Sequence, residues 1–296
     1  MSSTGAGNIR IAPVNILWQI EAEELLDLST GTNFDAGEFN LYEVDGTKVR
    51  VVFDEDASST IPSAGAGERI LEVDVLSTDS AAQKATKLQT ALDGDAAFSA
   101  SVSGTEVTVT RAAIGEVTDA ADVDSGISVT TCRRGKDFDL GLLQGEPEVT
   151  FTANNFIVNA QQSGLIPRAS LYQGGEVSVA TESLETQSAK LKEFYKIYGG
   201  AFTPGAGTEV FGMGDQRVGA NLLVDAARLI MRPVSSEDNL GDFNIMLALP
   251  SPDTLTFSGE NPRVLSATWT GFLNEGIDKR VNQILVGDAS QSGLTV

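Results

Sequence analysis

The sequence predicts a mainly β protein with one amphipathic helix laid against a sheet and a small α+β unit inserted towards its N-terminal end. Three observations predict it. Short runs alternate apolar with polar residues, as in Glu148-Val149-Thr150-Phe151-Thr152 and Glu176-Val177-Ser178-Val179, which is the period of a half-buried strand. Val, Ile, Thr, Ser, Ala and Gly fill these runs, and aromatics are only 6% of the chain, a mix that suits strands. Clear helical spacing appears in two windows, near 81–92 and 184–198. With 296 residues and an ordinary apolar fraction, the chain has room for one large domain or two ordinary ones.

Residues 1–8 are small and polar. Ile9, Ile11 and Val14 open a first strand, Pro13 marks a bend or an edge, and Ile16–Ile20 continue it. Trp18 is expected at an interface or a core edge. Glu21–Leu26 reads as a strand end or as one helical turn. From about Gly31 the composition shifts. Phe39–Tyr42 and Val49–Phe53 pair across Asp45-Gly46, a strong hairpin signal. A loop rich in Ser, Ala and Gly leads to a strand at Arg69–Val75. A helix follows at Ala81–Leu92, with Ala81, Ala85, Leu88 and Leu92 on one face, Ser80 as cap and Asp93-Gly94 as stop. Phe98, Ala100 and Val102 alternate into Val107 and Val109 around Ser103-Gly104, and Ile127–Val129 closes the unit. Residues 37–131 are thus expected to be an inserted α+β domain, and 1–36 with 132–296 the core.

Between Asp35 and Asp124 stand eighteen Asp and Glu against six Lys and Arg. More than half of the chain's net charge of −21 therefore lies in the insert. A unit inserted into a loop projects outward and stays solvated, which suits that charge. Arg133, Arg134 and Lys136 follow at the junction. They read as a solvated linker in preference to a docking patch for an acidic neighbour.

The run from Phe138 to Gly200 reads as strand, loop, strand and helix. Val149, Phe151, Val177 and Val179 are expected to face the core, with Gly174-Gly175 as the turn before the second strand. The helix is expected at Leu184–Tyr198. Leu184, Leu191, Phe194, Tyr195 and Tyr198 form its apolar stripe. Ser183 is the candidate N-cap, Glu185 lies in the first turn, Lys190, Lys192 and Lys196 fall towards the negative end of the dipole, and Gly199-Gly200 stops it. A Gly-rich loop follows. Its Gly212-Met213-Gly214 lacks the lysine and the strand-loop-helix setting of a phosphate loop. Further strands are expected at Arg228–Arg232, at Phe243–Leu249 up to the prolines around Ser251, and at Val264–Trp269 with Phe272.

The run LGLLQGEPEVTFTANN, then GLIPRASLYQGGEVSVATESLE and the helix, resembles a tail-tube protein of tailed bacteriophages. GNIRIAPVNILWQIEAEELLDL is similar to the first strands of that family, and FNIMLALPSP with RVLSATWTGFLNE to its C-terminal pair. The likeness covers roughly residues 8–30 and 136–290, in pattern and element order. The helix-then-hairpin piece of the insert is similar to small modules inserted in flagellar and phage structural proteins. The resemblance implies a tail-tube-like β-sandwich or barrel core with one flanking helix. It implies six-membered rings stacked into a hollow tube, each subunit adding strands to a barrel around a DNA channel. Implied partners are further copies of the chain, tail sheath, tail terminator and baseplate or tail-tip proteins, and DNA that passes without specific binding. The implied location is the virion tail, after synthesis in the host cytoplasm. A surface adhesin or a head-decoration protein is the alternative.

If one sheet lines a channel, its facing positions must be mostly not basic, because each Lys or Arg would grip phosphate. Glu148, Thr150, Thr152, Glu176, Ser178 and Glu182 fit that face, as they would fit the outer, solvated side of a sandwich.

Composition narrows the chemistry. The chain has no histidine, which removes the commonest general base and transition-metal ligand. Ser–His–Asp catalysis is excluded with it. Cys132 is alone, so no intrachain disulfide forms, as suits a reducing cytosol. No catalytic residues, metal or cofactor are expected, and the chain is read as not an enzyme. Asp54-Glu55-Asp56 and Asp122-Val123-Asp124 lack the spacing of a calcium loop and read as solvated loops. The opening MSSTGAGNIR has no apolar run, so no signal peptide is expected, and no stretch approaches a membrane-spanning length. The acidity serves either solubility or a channel that repels phosphate.

Overall fold

The computed structural model describes residues 14–57, 60–159, 167–184, 188–199, 217–234, 241–256, 264–272 and 284–287. At 56% strand and 14% helix the protein is mainly β. It forms two compact units. The first comprises residues 1–18, 138–222 and 227–296, and the second 19–137 with 223–226.

Strand β1 (Val14–Asp27) starts in the first unit and ends in the second. Its burial alternates without a break, with Ile16, Trp18, Ile20, Ala22, Glu24 and Leu26 inward. Glu21–Leu26 is therefore strand and not a helical turn. Asp27 ends it by accepting the Ser29 N–H at 2.8 Å over a short 3-10 turn, Leu28–Thr30.

In the second unit β2 (Glu38–Tyr42) and β3 (Lys48–Glu55) make the expected hairpin. β4 (Glu68–Val75) lies parallel to β3 in eight unbroken pairs. α1 (Ala81–Asp93) starts with a complete capping box, Ser80 and Gln83 each bonding the other's backbone N–H. β5 (Phe98–Ser103) and β6 (Glu106–Ile114) form the second hairpin. β7 (Ala121–Asp122) extends the first sheet to the order β4-β3-β2-β7. β8 (Ser128–Arg133) pairs with the second half of β1, as β6 also does. β9 (Lys136–Asp139) returns the chain to the first unit.

This unit takes in more chain than the expected 37–131. Leu26 and Leu28 are fully buried in the same cluster as Phe39, Phe53, Leu88 and Val109. Glu24 and Arg111 are buried together, with Arg111 Nη2 at 3.0 Å from Glu24 Oε1 and Arg111 Nε at 2.7 Å from the Tyr42 carbonyl. Removing either partner would leave an unpaired buried charge, so the end of β1 belongs to this unit.

In the first unit β10 (Glu148–Asn159) and β11 (Pro167–Ser183) pair antiparallel. α2 (Ser188–Gly199) follows. Then come β12 (Ala227–Pro233), β13 (Phe243–Thr256), β14 (Val264–Gly271) and β15 (Ile284–Val286). Strand order is β10-β11-β14-β13-β12, with β15 also on β13. Residues 243–250 of β13 are all buried, which explains their continuous apolar run. β13 does not stop at its prolines. Pro250 and Pro252 pair with Trp269 and Ala267, and a register shift before Thr254 absorbs Asp253.

The helix differs from its expectation at both ends of the stripe. Ser183 is the last residue of β11 and its hydroxyl donates to the Leu140 carbonyl at 3.2 Å, so it is not the N-cap. Leu184 lies outside the helix and is half-buried. The buried stripe is Leu191, Phe194 and Ile197, while Tyr195 and Tyr198 are half-buried. Phe194 closes an edge-to-face aromatic cluster with Phe138 (5.7 Å) and Trp269 (5.6 Å), and Trp18 meets Trp269 at 5.5 Å. Both indole N–H groups are satisfied, Trp18 by the Ala248 carbonyl at 3.1 Å and Trp269 by Thr181 Oγ1 at 2.9 Å.

Candidate functional surface

β11 pairs with β14 only over Ser178–Ser183, yet its pairing with β10 runs on to Asn159↔Pro167. From Val177 outward, β10 and β11 are a two-stranded ribbon with no third strand among the described residues. Between Ala153 and Asn155 the register shifts, and β11 carries one residue more than β10. Gly174, at φ 110°, sits in that bulge. Phe151 lies across Gly175, where a Cβ would stand 2.8 Å from the ring. Gly174 and Gly175 thus shape a bend inside β11 and are not the turn before it. The connection at 160–166 lies outside the described residues.

The ribbon is apolar on both faces. By alternation along β10, Phe156 shares a face with Glu148 and Thr150, and it pairs with Leu171. The two side chains are 53% and 56% exposed. Ile157 and Tyr172 are exposed on the opposite face. Phe151 is exposed as well and does not join Val149, Val177 and Val179 in the core, because the covered part of the sheet ends there. A lone two-stranded hairpin is marginal in water, and a contiguous exposed apolar patch marks a contact surface. β10 is also an edge strand among the described residues, with a row of backbone groups open to another strand.

Nearer the core the same face is polar. Glu148, Thr150, Thr152, Glu176 and Glu182 are exposed and Ser178 is half-buried. Thr150 pairs with Ser178, and Thr152 with Glu176. The face continues across β14, where Ser178, Ala180 and Glu182 stand opposite Thr270, Thr268 and Ser266. It reaches β13, where Thr268 pairs with Ser251 and its hydroxyl donates to Asp253 at 2.6 Å. None of these positions is Lys or Arg. Sequence reasoning missed Ser266, Thr268 and Thr270, although Ser266-Ala267-Thr268-Trp269-Thr270 alternates cleanly.

The basic junction is neither a solvated linker nor an open docking patch. Arg133 is buried against Glu23, and Lys136 is buried. Arg134 pairs with Asp119 at 2.9 Å and with Asp225 at 3.2 Å, and its backbone N–H reaches the Val224 carbonyl at 2.7 Å. Hydrogen bonding to Asp119, then the nearby carboxylate charges, hold its guanidinium above even its usual range. These bonds fix the segment 223–226 to the second unit.

The acidic clusters are also more ordered than solvated loops. Asp122 accepts the N–H groups of Ser125 and Gly126, both at 3.1 Å, and Asp124 accepts that of Glu38 at 2.7 Å. Asp54 and Glu55 end β3, with Glu55 paired to Lys84 at 3.2 Å. The carboxylates of Asp54, Glu72 and Asp74 converge within 4.8 Å, Asp54 buried and the other two exposed. Desolvation, then the Asp74 and Asp54 charges, push the Glu72 carboxyl up. All-oxygen donors of this kind suit a hard cation, although three are fewer than calcium takes. Cys132 is half-buried, and burial pushes its thiol up, away from the reactive thiolate. Gly212–Gly214 and Ile9–Pro13 lie outside the described residues. Among those described, no helix is long and apolar enough to cross a membrane.

No protein-family model matches the chain, and no curated protein matches it.

Proposed function

We propose that the chain is a structural subunit that assembles with copies of itself, in rings that stack into the tail tube of a tailed bacteriophage. The observation that carries this reading is the β10–β11 ribbon. It exposes Phe151, Phe156, Ile157, Leu171 and Tyr172 on a two-stranded arm beside an open strand edge. Such an arm is stabilised when neighbouring subunits cover its faces and pair its edge. Closing a sheet between subunits removes the edges altogether.

The polar face supports the channel part of the reading. Its charged members are Glu148, Glu176, Glu182 and Asp253, set among hydroxyl side chains. A surface of this kind repels phosphate and offers DNA no cation to hold.

Size-exclusion chromatography with light scattering tests the assembly. The native chain is expected as a hexamer or larger. Phe156→Asp with Leu171→Asp is expected to give a folded monomer. A native chain that stays monomeric at high concentration contradicts the proposal, as does a double variant that assembles normally.

A further inference from the structure

β4 is an edge strand of the four-stranded sheet in the second unit, and among the described residues only β3 pairs with it. It is eight residues long, free of proline, and pairs with β3 without a bulge. The usual devices that blunt an edge, namely shortness, proline and bulges, are therefore missing. What remains is charge. Glu68, Glu72 and Asp74 share one face of the strand by alternation. Glu68 is already engaged by Lys48 at 3.0 Å, and Arg69, on the other face, by Asp95 at 2.9 Å. Glu72 and Asp74 are exposed and have Asp54, another carboxylate, as their close neighbour.

We propose that the free edge of β4 takes an extended basic segment of another protein as an added strand, its Lys or Arg side chains beside Glu72 and Asp74. Two features of the strand select that occupant. A partner strand laid along β4 places its side chains directly beside those of β4, and opposite charges there attract while like charges repel. On the opposite face lie the apolar Leu71, Val73 and Val75. The fitting ligand therefore alternates basic with apolar residues, in the manner of β-augmentation. A second copy of this chain does not fit. Its own β4 would bring the Glu72 and Asp74 carboxylates against their like. This inference is independent of the tube reading, which concerns the first unit.

Hydrogen exchange of the full chain, read by mass spectrometry over Glu68–Val75, tests it. The probe is an eight-residue peptide alternating Lys with Val on a soluble Gly–Ser tail. The control replaces each Lys by Glu. With the Lys peptide the segment is expected to exchange more slowly. Glu72→Gln with Asp74→Asn, at exposed positions, should weaken the effect about tenfold at low salt. No protection over Glu68–Val75 overturns the proposal, as does equal protection by the Glu peptide or an unchanged response in the double variant.

Discussion

Tyr198, near the end of α2, donates its hydroxyl hydrogen to the carbonyl oxygen of Pro250 at 2.7 Å. The bond ties the flanking helix to the point where β13 carries its first proline. Pro250 has no N–H to give, but the residue is buried and its carbonyl finds a donor. Tyr198→Phe should therefore cost about 0.5–1.5 kcal/mol, read by urea unfolding. No loss would mean that water replaces the hydroxyl.

The buried stripe sets a larger effect. Phe194→Ala is expected to cost ~3–5 kcal/mol and Ile197→Ala ~2–5 kcal/mol. Leu184→Ala, at a half-buried position outside the helix, should cost clearly less. Tryptophan fluorescence follows this unit selectively, because Trp18 and Trp269 both belong to it. Equal losses at Ile197 and Leu184 would contradict the packing described.

Much of this arrangement was legible in the sequence, and the exceptions share a physical cause. The hairpins at Asp45-Gly46 and Ser103-Gly104 and the capped helix α1 depend on neighbours in sequence, and they stand as expected. Ile197 continues the stripe three residues after Phe194 and could have been read from spacing alone. Glu24 could not. A charged residue at an inward position breaks the visible alternation of β1, and its partner Arg111 is 87 residues away. Phe151 alternates like a core residue, but nothing local shows that the third strand ends at Ser178. The paired state of Arg134 depends likewise on Asp119 and Asp225, 15 and 91 residues distant.

The end of β1 makes the second unit hard to excise at 37–131. A Gly–Ser linker replacing those residues would keep Glu24, Leu26 and Leu28 and remove Arg111, α1 and the strands that cover them. The product is expected to be insoluble or to expose apolar surface, read by dye binding and light scattering. A soluble, cooperatively folding product would contradict the assignment of Glu24–Leu28 to the second unit.

Acid should loosen the second unit through Asp79. Asp79 accepts from Lys87 at 2.6 Å and from the Leu76 N–H at 2.7 Å, and these bonds hold its carboxyl below the usual range. A carboxyl lowered on folding stabilises above its unfolded pKa, about 3.9. That contribution is lost as pH falls through the lower folded value. Asp79→Asn should thus melt below the native chain at pH 7, and the gap should close as pH falls through the lowered value of the folded carboxyl. A gap that persists in acid would assign the loss to the amide's shape and not to charge.

On the channel reading, Glu148→Lys with Glu176→Lys should leave assembly intact, because both side chains are exposed on the polar face. Assembled native protein should not retain DNA at low salt. The double variant should retain it, with retention falling as salt rises. Equal behaviour of the two would place that face on the outside.

On the proposed reading, this chain builds a tube from copies of itself through the β10–β11 arm. Negative-stain electron microscopy of the concentrated native protein, beside the Phe156→Asp, Leu171→Asp variant, tests it most directly. Six-membered rings and stacked hollow tubes in the native sample, absent from the variant, are the predicted result. Discrete single particles in the native sample across a range of concentration and salt would contradict it.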